Sequence, residues 1–498
     1  MSTTTSTPPS AGRTYGNWRK PRSAGMFGQS SVVTYTGIAV FVVALLTMMF
    51  AGVLIGAVFA AVAVVVFSPL LVRRNGRTAY QAGALRWQWA RQKRRHAHLY
   101  RSGPLSAVPD GTHRLPGVLA ATTLYEGQDA FGRTFGMVHM PKTSCYTVVL
   151  RAEAQGASLV DQDQVDAWVT GWGHWLGELG QTGDVVATAV VIDTAPDSGE
   201  RLKAEVNYLL AEDAPQLTKD VLTQTTTEYP SGSALISARV AITFKAATVE
   251  RRRDPEEMAV EIGTRLPELY ASLRDAGIDA TPVDGWAVAE MVRLAYDPAA
   301  QQAIDEARGS GEGSQVRWVD AGPAGHQEKW ASYTHDSGVS VTYAMEEAPR
   351  GTVREQVLRR LLEPHRDLAR KRITLIYRPH SAGEAATIVD GDFKDAVVGT
   401  TSKGVASAAA LVELEATTRA RDEEARGAGV VRFSILMTAT VADETQLRRT
   451  ESVLRNLAAT ARLRVRPCYG YQAAAFAAGL GVGVLLPDHA TIPGALAN

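Results

Sequence analysis

Two cysteines in 498 residues, Cys145 and Cys468, are too few and too far apart to frame a disulfide scaffold or a cysteine-based zinc site. Buried free thiols in a reducing compartment are the reading this leaves. The ten histidines show no H-E-x-x-H spacing. His96 and His98 have no cysteine or carboxylate beside them, and His174 sits among Trp168, Trp172 and Trp175 on an expected helix. No G-x-x-x-x-G-K-[ST] phosphate loop is present. The nearest string, Thr400-Thr401-Ser402-Lys403-Gly404, lacks the leading glycine and has no Ser or Thr after its lysine. No G-x-S-x-G elbow occurs either. The adjacent carboxylates Glu256 and Glu257, like Glu423 and Glu424, suit helix first turns or solvated helical segments better than acid–base catalysis. The expectation is therefore a protein that is not an enzyme, with no catalytic residue, cofactor or metal.

Acidic residues are absent before Asp110, whereas 13 Lys and Arg fall in that stretch, so all 52 acidic residues belong to the remainder. A basic leading segment thus precedes an acidic body. That balance argues against a nucleic-acid clamp in the main domains, since neutralising phosphates needs clustered positive charge. It favours contact of the leading segment with anionic lipid headgroups.

Within the leading segment, residues 32–72 carry no charge at all. A membrane crossing takes about 20 apolar residues, so the run predicts a transmembrane helical hairpin turning near Thr47 to Gly52. Gly52, Gly56 and Ala60 recur every four residues and predict a close helix contact. Arginines flank both ends, which places both termini on the cytoplasmic side of a bacterial membrane. Beyond the hairpin, Arg73, Arg74, Arg77, Arg86, Trp87, Trp89, Arg91, Lys93, Arg94 and Arg95 interleave charge and aromatics. They predict an interfacial helix that contacts lipid.

The divisions expected are a basic, disordered tail over 1–31, the hairpin over 32–72, a juxtamembrane helix and linker over 73–135, an α+β domain over 136–306, a connector over 307–325, and a second α+β domain over 326–498. The two domains read as a duplication. Strands at 146–150, 185–192 and 234–244 in the first copy match 339–343, 372–377 and 430–440 in the second. Helices are expected over 161–179, capped by Gly180, over 199–222, and from Asp254-Pro255 in N-cap and first-turn positions. Their counterparts are a capping box of Thr352 and Glu355, a helix over 392–426, and another opened by Asp443. Each copy closes on a glycine–aromatic pair, Gly285-Trp286 and Gly470-Tyr471. The fold class expected is α+β, with two ferredoxin-like, helix-inserted sandwiches behind the hairpin.

These parts together resemble a known arrangement. The hairpin and basic segment resemble the small PrgI-like membrane subunit of Gram-positive conjugation systems, and the body resembles the non-motor region of type IV secretion ATPases. Tyr469, Tyr471, Gln472 and Phe476, followed by Leu486 and Pro487, are similar to the segment that ends that region before the motor domain. The whole order resembles an actinobacterial family of membrane proteins from conjugative elements. The resemblance implies an inner-membrane scaffold that joins a separate conjugation ATPase to channel subunits within a larger complex. Two alternatives stand beside it: a component like the EccE subunit of type VII secretion, and a membrane-tethered enzyme.

Overall fold

The computed structural model describes residues 15–16, 18, 31–50, 52–71, 73–74, 77–156, 160–211, 213–228, 233–248, 251, 254–310, 313–349, 352–401 and 408–490. Most of the tail expected over 1–31 lies outside them, Arg13, Arg19, Lys20 and Arg22 included, as do residues 402–407 with Lys403 and Gly404. Where the tail is described it is ordered, Tyr15 pairing with Val353 in an antiparallel bridge and Trp18 meeting Phe433 edge to face at 6.1 Å.

The charge-free run folds as two helices, α1 (Ser31–Phe50) and α2 (Val53–Leu71). Gly52, at φ +100°, makes the break between them. The expectation of a transmembrane hairpin is overturned: among the described residues, no helix is long and apolar enough to cross a membrane. Hydropathy was a property of the whole run, whereas spanning is a property of each helix after the chain divides.

Helix α3 (Ala79–Arg94) follows, and the chain then enters a single 13-stranded sheet. Its strands are β1 (Leu99–Arg101), β2 (Thr123–Gln128), β3 (Thr134–Met140), β4 (Cys145–Ala154), β5 (Val185–Pro196), β6 (Ala234–Lys245), β7 (Ile278–Pro282), β8 (Gly325–Glu328), β9 (Tyr333–His335), β10 (Gly338–Glu347), β11 (Arg370–Pro379), β12 (Val431–Val441) and β13 (Arg464–Pro467). The order is β1-β8-β9-β10-β12-β11-β5-β6-β4-β3-β2, with β13 beside β10 and β7 beside β4. Every pairing is antiparallel. In each half, four strands take the order fourth-first-third-second, β7-β4-β6-β5 and β13-β10-β12-β11. The halves meet where β5 pairs with β11, from Thr188↔Tyr377 to Thr194↔Lys371. This corrects the reading of two separate sandwiches, because one continuous sheet runs through both.

Helices cover both faces. On one face of the first half, α4 (Gln162–Gln181) and α7 (Pro255–Ser272) bring Trp175, Leu179, Ile262, Leu266 and Tyr270 onto Tyr146, Val148, Leu150, Ile242 and Phe244. On the same face of the second half, α10 (Arg359–Leu362) and α13 (Leu447–Thr460) bring Leu361, Leu454 and Leu457 onto Val341, Ile373, Ile435 and Met437. The opposite face carries α8 (Gly285–Tyr296), α14 (Gln472–Gly479) and the strap that follows α14. There Val288, Val292, Tyr296, Phe476, Leu480, Val482 and Val484 pack on Val149 and Ala241 of the first half and Ile376 and Leu436 of the second. Fully burying such side chains contributes about 1.5–3 kcal/mol each, so this third cluster holds the halves together in addition to the strand pairing.

Local expectations fail where tertiary packing intervenes. Gly180 is inside α4, pressed against the His380 carbonyl, and the left-handed residue just past the helix is Gly183. The capping box of Thr352 and Glu355 does not form; Arg354 precedes a short 3-10 turn with no side-chain cap. The inserted segments are helix pairs, α5 (Glu200–Leu209) with α6 (Gln216–Glu228), and α11 (Ala382–Thr401) with α12 (Ala408–Ala425). Helix α9 (Gln301–Gly309) takes the start of the expected connector. Asp254 does cap α7, accepting from the Glu256 and Glu257 amides, with Pro255 in the first turn.

Candidate functional site

The two helices of the hairpin pack closely at Gly56. Gly56 is buried against Met48, where an added Cβ would lie 2.6 Å from the Met48 Cα. Gly52 and Ala60, expected in the same contact, are exposed and half-buried. The hairpin's outer surface is apolar and open: Tyr35, Phe41, Met49, Phe50, Val53 and Leu54 are all more than 60 % exposed. An open apolar patch of this kind marks a surface meant to meet something else.

Helix α3 begins with a reciprocal cap, in which the Gln81 amide donates to Thr78 Oγ1 at 3.2 Å and the Thr78 amide to Gln81 Oε1 at 3.0 Å. Arg86, Trp87, Arg91, Lys93, Arg94 and Arg95 face solvent, with the Arg91 guanidinium 5.6 Å from the centre of the Trp87 ring. Trp89 does otherwise. Its ring meets Trp330 at 5.9 Å and His98 at 6.3 Å, edge to face, while Gln92 Nε2 donates to Glu328 at 2.9 Å. The helix is therefore docked on the second half, and Trp89 is a packing residue rather than a lipid-facing one. Arg73, Arg74 and Arg77 lie in a two-residue ladder between α2 and α3, and their side chains are outside the description.

The segment picked out by resemblance is brought together, largely as core. Tyr469 stacks on Trp330, with centroids 5.9 Å apart and planes at 6°. Gln472 is fully buried and completes the backbone pairing of β10: Oε1 accepts from the Thr342 amide at 2.8 Å and Nε2 donates to the Thr342 carbonyl at 3.3 Å. Phe476 sits among Tyr296, Tyr333 and His335, with centroids 5.1, 5.3 and 4.8 Å away. Tyr471 is half-buried, and its amide donates to the Cys468 carbonyl. Leu486 packs on the shared core, and Pro487 lies in the 3-10 turn that follows.

Two glycines let the strap cross the sheet. An added Cβ on Gly481 would fall 2.6 Å from Val191 Cγ2, and one on Gly483 would strike Thr147 Oγ1. Both have φ in the left-handed region, +73° and +89°.

The buried titratable groups nearby serve the fold. His335 Nδ1 donates to the Tyr296 carbonyl at 2.6 Å, so a neutral ring accepts at Nε2 from Ser340 Oγ at 2.7 Å. Burial lowers its pKa to about 4. Glu328, raised by burial, accepts from the Ala473 amide at the start of α14 at 2.9 Å. Cys145 and Cys468 are buried, and neither is in a disulfide. Among the described residues, no group of three or more His, Cys, Asp or Glu is placed to hold a metal ion.

A further constellation escaped sequence reasoning. At the junction of the halves, Asp193 on β5 is held between Arg239 on β6 and Arg372 on β11, with Arg372 Nε at 2.7 Å from Oδ1. The two arginine side chains are each 12 % exposed. Burial works to raise the Asp193 carboxyl, and Arg372 and Arg239 more than offset it, holding it below the usual carboxylate value. These residues edge a cleft of about 310 Å³ between the sheet and α8 and α9. The signal was present as charge inside otherwise apolar strands. It pointed to no site because nothing local shows that α8 and α9 roof that face.

A family model described as a domain of unknown function (DUF8461) matches residues 22–81, which takes in α1 and α2 and ends at the start of α3. No curated protein matches the chain.

Proposed function

We propose that this protein is a non-enzymatic scaffold of a conjugative, type IV secretion-like translocation machine, seated at the inner face of a bacterial cytoplasmic membrane, where it docks a separate ATPase. The open apolar surface of α1 and α2, next to the exposed basic face of α3, carries the reading. An apolar surface beside a cluster of arginines complements a lipid interface, in which headgroups are anionic and the layer beneath them apolar. Helix α3 is fixed to the second half by Trp89 and Gln92, so that contact orients the whole sheet.

The ATPase would meet the inserted helix pairs. Tyr208, Leu209 and Leu217 on α5 and α6, and Val398, Leu411 and Val412 on α11 and α12, are more than 50 % exposed. Equivalent positions in two pseudo-equivalent halves suit a partner that presents repeated subunits.

The test is affinity capture of the full chain after in-cell crosslinking, from a host carrying its native gene neighbourhood. Recovery of a conjugation ATPase, abolished by Tyr208→Asp with Leu411→Asp, is expected. Recovery of no translocation subunit from crosslinked cells would sink the reading.

A further inference from the structure

We propose that the cleft at the junction of the two halves binds the phosphoryl group of a small organic phosphate. Arg239, Arg372 and Arg370 all line it, and Asp193 is the carboxylate that Arg239 and Arg372 share. Arg370 is spent on neutral acceptors, the Pro298 carbonyl at 3.2 Å and Gln301 Oε1. Three guanidiniums withdrawn from solvent thus face one carboxylate, an excess of two positive charges. Arg239 also keeps a buried Nε donor with no hydrogen-bond partner among the described residues.

The remaining charges reduce this excess to one, because Asp305 and Glu290 share the single guanidinium of Arg308. Asp305 on α9 is occupied by Ser198 Oγ at 2.7 Å and Arg308 at 3.6 Å, and Arg308 also pairs with Glu290. Arg151 and Glu153 are exposed at the mouth and offset each other. Lys371 points to the opposite face, donating to the Leu361 carbonyl at 2.6 Å.

A phosphate monoester brings three strong acceptor oxygens to the three guanidiniums and the unpartnered Arg239 Nε, where a carboxylate brings two. Guanidinium forks suit its oxygens bidentately. The cavity volume of about 310 Å³ leaves room for a compact organic body beside the phosphoryl group, against Met291, Leu294 and Ile236. Burial holds Arg239 and Arg370 below the ordinary arginine value, a cost that a bound dianion would relieve.

The experiment is calorimetric titration of the full chain, in phosphate-free buffer, with glycerol 3-phosphate, inorganic phosphate and glycerol. Both phosphates should bind saturably and glycerol not at all. Asp193→Asn removes the competing carboxylate and should tighten phosphate binding by about tenfold. Its melting temperature should fall in plain buffer and recover with phosphate. Arg372→Gln should weaken binding by at least about tenfold; since that variant risks misfolding, Arg151→Gln at the exposed mouth is the folded control, expected to weaken binding by about two- to threefold. Absence of saturable phosphate binding by the unaltered chain would overturn the proposal. So would an Asp193→Asn variant that folds but binds phosphate no more tightly, because Asp193 and its arginines would then be a structural triad alone.

Discussion

Gln472 shows how much one buried amide can carry. It closes the gap in β10 between the strands that pair with its two ends, β9 from Gly338 to Ser340 and β13 from Tyr343 onward. Gln472→Ala would orphan the Thr342 amide, while the Thr342 carbonyl keeps the Cys468 amide at 3.0 Å. A loss of roughly 1–3 kcal/mol is expected in urea denaturation; no loss would mean that water reaches this point of the sheet. His335 sets a pH dependence of known sign. Its folded pKa, about 4, lies below the ordinary histidine value, so the unfolded chain binds the proton more readily. Its contribution is complete above about pH 6.5 and is lost as pH falls from there toward about 4. His326, lowered to about 4 by burial and then by His98, adds to the same limb. His335→Gln should flatten the fall in stability over that window by on the order of 2–3 kcal/mol, measured by denaturation at a series of pH values. Sequence could name both residues, but their roles waited on a distant carbonyl, that of Tyr296, and on a distant strand.

Helix α3 carries two tryptophans two positions apart, and helical geometry sends them to different sides. Trp87 faces outward with the arginines, and Trp89 packs on Trp330. Reversing Arg86, Arg91 and Arg94 to Glu should cut binding to vesicles containing phosphatidylserine by at least about tenfold, since each surface cation is worth about 1 kcal/mol there. Binding to neutral vesicles should hardly change. An equal loss on both vesicle types would show that the basic face makes no specific contribution. Trp89→Ala should instead loosen the dock of α3 on the second half and appear as faster amide exchange across the helix. The element boundaries show the same division. Alternation along 234–244 and 430–440 was readable, and these are β6 and β12. The Gly180 cap and the Thr352 capping box failed because packing against His380 and the short turn after Arg354 took precedence over local preference.

At the scale of the molecule, the central fact is that β5 pairs with β11 and a single apolar cluster spans both halves. Residues 112–310 expressed alone would leave the 12-residue β5 as an open edge beneath an uncovered cluster. Self-association is expected by size-exclusion chromatography with light scattering; a stable monomer would show that the junction is dispensable. Sequence by itself determined the basic leading segment, the charge-free run and the strand and helix periods, because charge, hydropathy and period are local properties. It did not determine that the run divides at Gly52 into helices that do not qualify as membrane spans among the described residues. Nor did it determine that both faces of the sheet are roofed, or that Asp193 and Arg372, 179 residues apart, meet across the junction. Those were decided by tertiary structure, since strand order and the burial of a second face depend on contacts between segments far apart in the chain.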